Sequence, residues 1–421
     1  MSPSESFDIL INEKTAMAAQ SDSVSKPEMS AAESPRVTID LSSIPVFQSS
    51  VTVSYLAEGA ANIIFRVTEA KDMAPVESPL ESREPIGRLQ PAVEPTAVPD
   101  ENELSLPNEP ILDGMLLRLR KQSGNEDGYS VGVKYPRQHQ HWLTTIVPLF
   151  SMQNLVLQEL IRLPVGLVEK LNIDLVDLYT QSGRPENRKG GQLDVGEEFG
   201  LLITDMTAAG EPEAEVLEVK PKWLAQSPNA PGDWKRCRNC ALRERRRRVA
   251  RRSIHDEATL QAMKAADAES EFCPWDLVSS DLGRTNNAIS RLLGSSYRKS
   301  GRVDKTPSLD LVESIAAKLS EDGLLKRLRD LQTELDGQGP LKASTQDAGF
   351  LTAMTIRDCT MYVRVSGPNR FEVRLGDLDL KDGGGGRFER WKRVEQELVD
   401  EGWYTGTEED APETLKACDL S

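Results

Sequence analysis

"FGLLITDMTAAGEPEAEVLEVKPK" runs from Phe199 to Lys222 and holds two short apolar runs separated by an acidic connection. Phe199 to Thr207 reads as a buried strand, and Val216 to Val219 as the next one. The second run breaks into Lys220-Pro221-Lys222. Proline ends a sheet ladder and sets a stiff path. Lysine is rarely buried without a partner. Two ammonium groups leaving the end of a buried strand call for a local anion.

Outward from this stretch, Ser50 to Leu56 and Ile63 to Val67 read as a hairpin around the turn AEGAAN, with Gly59 at its tip. GMLLRLRK (Gly114 to Lys121) alternates apolar and basic residues, as a strand with an exposed face would. SMQNLVLQELIRLPVGLVEKLN reads as a helix broken before Pro164. Helical patterns dominate from Asp256 to Asp336. A late strand pair, AMTIRDCTMYVRVS and RFEVRLGDLDLK, precedes an amphipathic helix, RFERWKRVEQELVDEG. Residues 1–50 have the Ser, Glu and Pro content of a disordered tail, and about 70–110 that of a linker or insertion. Strands come first and helices mostly later, so the fold class is α+β with a sheet-rich N-terminal part.

The 421 residues carry a formal net charge of -16, which argues against nucleic acid as a partner and requires any anion site to be local. Five cysteines in so long a chain suit a reducing compartment better than a disulfide framework. The N-terminus lacks a basic region followed by an apolar core, and no apolar run approaches membrane-spanning length. A soluble intracellular protein is expected.

In GDLDLKDGGGGRFERW, Asp377 and Asp379 alternate with leucines, so both carboxylates share one face of a strand. Carboxylates, Lys381 and a glycine-rich turn suit magnesium and phosphate, although a solvated edge strand has the same pattern. Gly59 allows backbone N–H groups to approach an anion, or forms an ordinary turn. Asp358 sits in a β-prone apolar run, either in a structural pair or held for proton abstraction. Cys237 and Cys240 form a Cys-x-x-Cys, but zinc needs two further ligands. Only Cys273 and His255 lie within reach in sequence, so a structural zinc is left open. The arginine run Arg243 to Arg252 reads as a solvated helix face or a nuclear-targeting patch. His139 and His141 read as exposed loop residues.

Taken together and in this order, EGAANII, LLRLRK, LLITDM, EVKPK, CRNC, FCPWDLVS, NNAISRLLG, RDCTMYV and DLDLK resemble the inositol-pentakisphosphate 2-kinase family, in a fungal form. The resemblance implies a two-lobed kinase-like fold, with an N-lobe over 51–204 and a C-lobe over 205–421. It implies transfer of the γ-phosphate of ATP, with Mg²⁺, to the 2-hydroxyl of inositol 1,3,4,5,6-pentakisphosphate. By this resemblance Gly59, Ala60, Ala61 and Asn62 cover the ATP phosphates and Arg118 reaches them from a neighbouring strand. Thr204, Asp205 and Met206 form the adenine hinge, and Glu218 and Lys220 lie on the nucleotide side. Asp358 is the base and Asp377 the magnesium ligand. Lys222, Arg238, Asn286, Asn287, Lys381, Arg387 and Trp391 face the acceptor, the last two if the Gly383 to Gly386 loop carries a two-residue insertion. Trp391 then stands where the family has Tyr, and Arg238 stands in for a family lysine. The zinc ligands of plant members are not evident. A monomer is expected. A non-catalytic inositol-phosphate or nucleic-acid binding module, using the arginine run, is the alternative reading.

Overall fold

The computed structural model describes residues 39–47, 51–59, 61–69 and, with short breaks, 112–122, 135–299, 302–407 and 417–419. The expected insertion at about 70–110 and most of the expected tail lie outside the described residues. The tail boundary moves back, however. Phe47 is buried, its N–H donates to the Arg162 carbonyl at 2.9 Å, and the Arg162 N–H donates to the Pro45 carbonyl at 2.9 Å.

The fold is mixed α+β with two antiparallel sheets. The first has the order β1-β2-β3-β5-β4, from Val51–Glu58, Asn62–Glu69, Met115–Arg120, Phe199–Thr204 and Gln158–Arg162. The second has the order β6-β7-β8, from Glu215–Val219, Thr360–Val365 and Phe371–Gly376. Nine α-helices occur among the described residues: α1 Tyr135–His141, α2 Leu167–Thr180, α3 Arg238–Arg252, α4 Glu257–Ser270, α5 Leu282–Lys299, α6 Leu309–Asp322, α7 Leu324–Leu335, α8 Ala348–Arg357 and α9 Arg387–Asp400. No described helix is long and apolar enough to cross a membrane.

The hairpin forms as read. β3 does not have the expected exposed face, because it lies between β2 and β5 and four of its six residues are buried. Its Arg118 can be buried because a carboxylate meets it. The expected helix around Pro164 is instead strand β4 followed by α2, whose N-cap Gly166 has φ 84°. On β4, Leu160 and Ile161 enter different apolar clusters, which is the two-faced alternation of a strand. AMTIRDC is likewise the end of α8 rather than a strand. Asp347 caps that helix, accepting from the Phe350 N–H at 2.9 Å. Thr352 and Thr355 donate their hydroxyls to the Ala348 and Leu351 carbonyls, at 2.7 and 3.0 Å, and so tolerate helical backbone.

The largest apolar cluster lies under the second sheet, where Leu217, Met361, Val363 and Leu375 pack with α5, α6 and α7. A second joins the first sheet to α2 through Ile63, Phe65, Leu117, Ile161, Leu171 and Leu202. These two bodies of packing give the strand ends a rigid base.

Candidate active site

Register in the second sheet brings its polar ends together. Val219 pairs with Met361, and Thr360 with Gly376. Lys220 therefore leaves β6, Asp358 enters β7 and Asp377 leaves β8 at one end of the sheet. The two lysines of the Lys-Pro-Lys segment meet internal carboxylates there.

Lys222 has φ 59°, a left-handed conformation that costs a non-glycine residue about 1–3 kcal/mol and is held by its surroundings. Gln332 of α7 supplies the hold: its Nε2 donates to the Lys222 carbonyl at 2.8 Å, and its Oε1 accepts from the Leu224 N–H at 2.9 Å. Asp377 has φ 55°, so the two non-glycine residues with positive φ among those described both lie in this cluster.

Asp358 forms the C-cap of α8, its N–H donating to the Thr355 carbonyl at 3.1 Å. A carboxylate at a helix C-terminus faces the negative end of the macrodipole. Two cations offset this: Lys222 Nζ lies 2.6 Å from Oδ1 and Lys381 Nζ lies 2.9 Å from Oδ2. Burial pushes the Asp358 pKa up, but Lys381 and Lys222 outweigh it and hold it down at about 2. The preceding residue fixes the helix end. Buried Arg357 pairs with Asp336 at 2.6 Å and stacks over the Trp223 ring at 3.5 Å.

The expected strand carrying both Asp377 and Asp379 stops at Gly376, and the left-handed Asp377 turns the chain, so the two carboxylates find different partners. Asp377 Oδ2 lies 2.5 Å from Lys220 Nζ, which also donates to the Asp358 carbonyl at 3.2 Å. Burial pushes the Lys220 pKa down, and Asp377 more than restores it. Asp379 is gripped bidentately by Arg118, Nη1 to Oδ1 at 2.9 Å and Nη2 to Oδ2, and accepts from Gln138 Nε2 at 3.2 Å. Burial raises the Asp379 pKa, but Arg118 brings it below the usual carboxylate range. With its amide oxygen facing the guanidinium, Asn62 accepts from Arg118 Nη2 at 2.6 Å and donates to the Tyr135 hydroxyl at 3.2 Å. The hairpin is thus linked through Arg118 to the end of the second sheet.

The hairpin tip rests on a buried ion cluster. Glu58 pairs with Lys121 and with Arg184, the latter at 2.9 Å, and Lys121 Nζ also donates to the Gly59 carbonyl at 2.9 Å. The Gly59 N–H donates to the Asn62 carbonyl at 2.9 Å; Ala60 lies outside the described residues. Thr204, Asp205 and Met206 connect the two sheets. The Asp205 N–H donates to the Gly114 carbonyl at 2.8 Å, its carboxylate lies 3.7 Å from Arg66 of β2, and its carbonyl accepts from Arg364 of β7 at 3.2 Å.

Residues 55–397 match the inositol-pentakisphosphate 2-kinase family. The chain belongs to that family. It is 26% identical over 263 residues to the inositol-pentakisphosphate 2-kinase of Yarrowia lipolytica (strain CLIB 122 / E 150), covering 58% of this chain and 73% of that protein. Membership makes the chain a kinase acting in inositol phosphate metabolism.

Set against the family expectations, Lys220, Lys222, Asp358, Asp377 and Lys381 come together, with Arg118 and Asn62 adjoining. Glu218 is exposed on β6, opposite Tyr362 in register. Arg238 is not brought to this cluster: it is buried, 2.6 Å from Glu395 and stacked 4.2 Å over Trp223. Asn287 accepts from Arg291 of its own helix at 3.1 Å, and among the described residues no hydrogen bond joins Asn286 or Asn287 to the aspartates. Arg387 opens α9 and pairs with Asp382 at 2.6 Å. Trp391 packs edge-on against Phe350 and Phe388, as core does.

Other expectations change. His139 and His141 are half-buried in α1 rather than exposed in a loop, and burial lowers both pKa values, that of His139 to about 4. The arginine run is not simply a solvated face: Arg245 pairs with Glu397 at 2.9 Å and Glu401 at 3.3 Å on and after α9. Gln138, Gln332 and Arg184 carry no motif and emerge only from their contacts, whereas Glu58 opens the EGAANII block and Lys121 closes the LLRLRK block.

Proposed function

We propose that the chain is an ATP-dependent kinase that phosphorylates the 2-hydroxyl of inositol 1,3,4,5,6-pentakisphosphate to give inositol hexakisphosphate. The observation that carries this reading is Asp358 held between Lys222 and Lys381, at a strand end that also presents Asp377. A site that only bound anions would need no carboxylate placed to take a proton or to hold a metal.

In this reading Lys222 and Lys381 neutralise acceptor phosphates, and Arg387 adds a bidentate donor from the start of α9. As the acceptor phosphates take over the two ammonium groups, Asp358 loses the cations that depress its pKa and regains basicity. Its carboxylate then takes the proton of the 2-hydroxyl while that oxygen forms a bond to the γ-phosphorus and the bond to the ADP oxygen breaks. Lys220, Arg118 and the 59–62 hairpin tip hold the nucleotide phosphates, and 204–206 hold adenine between two kinase-like lobes. Arg238, Asn286 and Asn287 act from the acceptor side, Arg238 by supporting the Trp223 floor beneath Arg357. Trp391 supports the loop before α9.

Asp377 fits a magnesium ligand: its oxygens are hard donors, its side chain is 39% exposed, and its ion-pair partner among the described residues, Lys220, sits at the proposed nucleotide side. Asp379 is already committed to Arg118 and Gln138. When bound, Mg²⁺ would offset charge on the transferred phosphoryl group. The arginine run is proposed as a nuclear-targeting patch, despite the contacts of Arg245 with the C-terminal helix. Incubation with ATP, magnesium and inositol pentakisphosphate, with chromatography of the products, tests the activity. Absence of a hexakisphosphate product would refute it.

A further inference from the structure

We infer that Glu58, Lys121 and Arg184 are positioning residues for nucleotide phosphates, tying down the 59–62 hairpin tip and leaving one surplus positive charge beside it. The inference rests on the reading of that tip as the cover of the ATP phosphates. The cluster draws on three separate stretches of chain: Glu58 ends β1, Lys121 directly follows β3, and Arg184 stands beyond α2. Their side chains are 0%, 9% and 3% exposed, so each charge must be met within the protein.

Arg184 meets Glu58 with two bonds, Nε to Oε1 at 2.9 Å and Nη2 to Oε2 at 3.0 Å, and its Nη2 also donates to the Gly191 carbonyl at 2.9 Å. Lys121 pairs with the same carboxylate, and the Tyr55 hydroxyl donates to Oε1 at 3.2 Å. Burial raises the Glu58 pKa, but Arg184 and Lys121 bring it below the usual carboxylate range, so Glu58 is ionised at neutral pH. One carboxylate against two cations leaves the cluster at +1. A merely structural pair would need only one of those cations.

The same lysine shapes the tip. Its Nζ donates to the Gly59 carbonyl and its N–H to the Ala61 carbonyl, both at 2.9 Å. Gly59 and Ala61 have no polar side chain, so backbone contacts decide where the tip lies. Carbonyl oxygens repel phosphate, and these two are turned to Lys121 instead. The stretch after Arg184 is held as well: Asn172 of α2 donates to the Leu193 carbonyl at 3.2 Å and accepts from its N–H at 2.7 Å. A charge on so fixed a frame needs no reorganisation when phosphates arrive.

The test is equilibrium binding of ATP and of adenosine to the full chain, at low and at moderate salt. A unit charge about 10 Å from a phosphate, at an effective dielectric of about 20, changes affinity by about tenfold. Arg184→Met should therefore weaken ATP by about that factor, leave adenosine unchanged and lessen the salt dependence of ATP binding. Arg184→Lys keeps the charge without the planar fork and should retain most of the preference for ATP. A purely structural role would weaken ATP and adenosine together. An unchanged ratio of the two affinities in Arg184→Met, a parallel loss of both, or a lysine variant no better than methionine would overturn the inference. Should Arg184→Met not fold, Glu58→Gln decides: it removes the offsetting charge, so the ratio should rise, and a fall would overturn the inference. Wild type that binds ATP no more tightly than adenosine would instead refute the reading of the tip itself, and the inference with it.

Discussion

Replacing Asp358 by Asn should separate turnover from acceptor binding, in opposite directions. The substitution keeps shape and removes the charge that Lys222 and Lys381 now neutralise. Loss of a positioned base lowers kcat by about 10²–10⁴-fold. Binding should improve, because the acceptor no longer has to draw two lysines away from a carboxylate. The side chains of Asp358 and Lys222 are 41% and 43% exposed and that of Lys381 is 20% exposed, so each pair is screened. Exposed pairs are worth about 0.2–1 kcal/mol each, so two give 0.4–2 kcal/mol, or a 2- to 30-fold lower Kd for the pentakisphosphate. Unfolding should hardly shift for the same reason. Calorimetric titration without nucleotide gives Kd, quenched-flow turnover gives kcat, and a thermal melt guards against misfolding. A variant that keeps more than a third of wild-type kcat, or that binds the acceptor more weakly while folded, would refute the reasoning.

Asp377→Ala should weaken ATP binding in the presence of magnesium far more than in its absence; equal losses on titration would remove Asp377 as the ion's ligand. Arg118→Met should destabilise by about 2–4 kcal/mol, because breaking a buried pair strands its partner, and adding Asp379→Asn should recover much of the loss in a double-mutant cycle read by denaturant melts. Simple additivity would mean that the pair does not couple. His139 has its pKa lowered from about 6.5 to about 4, so the unfolded chain binds more protons between those values; stability is full above pH 6.5 and declines as pH falls toward 4. That decline reaches about 2 kcal/mol by pH 5 from His139 alone, and His139→Gln should flatten it. An inositol phosphate lacking one phosphate should lose about tenfold or more in kcat/KM, and Arg387→Ala should narrow the gap; an equal loss for both acceptors would show that Arg387 reads no phosphate.

The parts of the fold legible in sequence are those where local pattern and tertiary fate agree. The 51–69 hairpin has β-prone runs around a Gly-containing turn, and β5 and β6 are short apolar runs that end in polar breaks. The stretch before Pro164 misleads because its leucines fit a helical stripe and a strand equally well. Only pairing with β5 decides it, and that is a tertiary fact. The threonines of α8 suggest a strand, yet their hydroxyls bond back to the helix. Arg118 reads as exposed because sequence cannot show Asp379 arriving from 261 positions away. In the site, Lys220, Lys222 and Asp358 can be flagged as charges at or within apolar runs. Gln332 and Gln138 cannot, since an amide that holds backbone has no pattern of its own.

The acidic chain and its proposed polyanionic acceptor are reconciled within a few ångströms. Exposed charges beyond about 10 Å are largely screened at 0.1 M salt, so the net charge of -16 matters less than the groups around Asp358 and Asp377. There each cation already has a carboxylate: Lys222 and Lys381 have Asp358, Lys220 has Asp377, and Arg118 has Asp379. A site of bare lysines and arginines would repel itself and loosen; here three carboxylates offset four cations before the acceptor comes. In the proposed cycle the arriving phosphates exchange with the carboxylates as counter-ions. Two of these carboxylates are ones the chemistry needs, Asp358 for the proton and Asp377 for the metal. Two anionic ligands can thus share one small site, and the base becomes strong only once acceptor phosphates have taken its lysines.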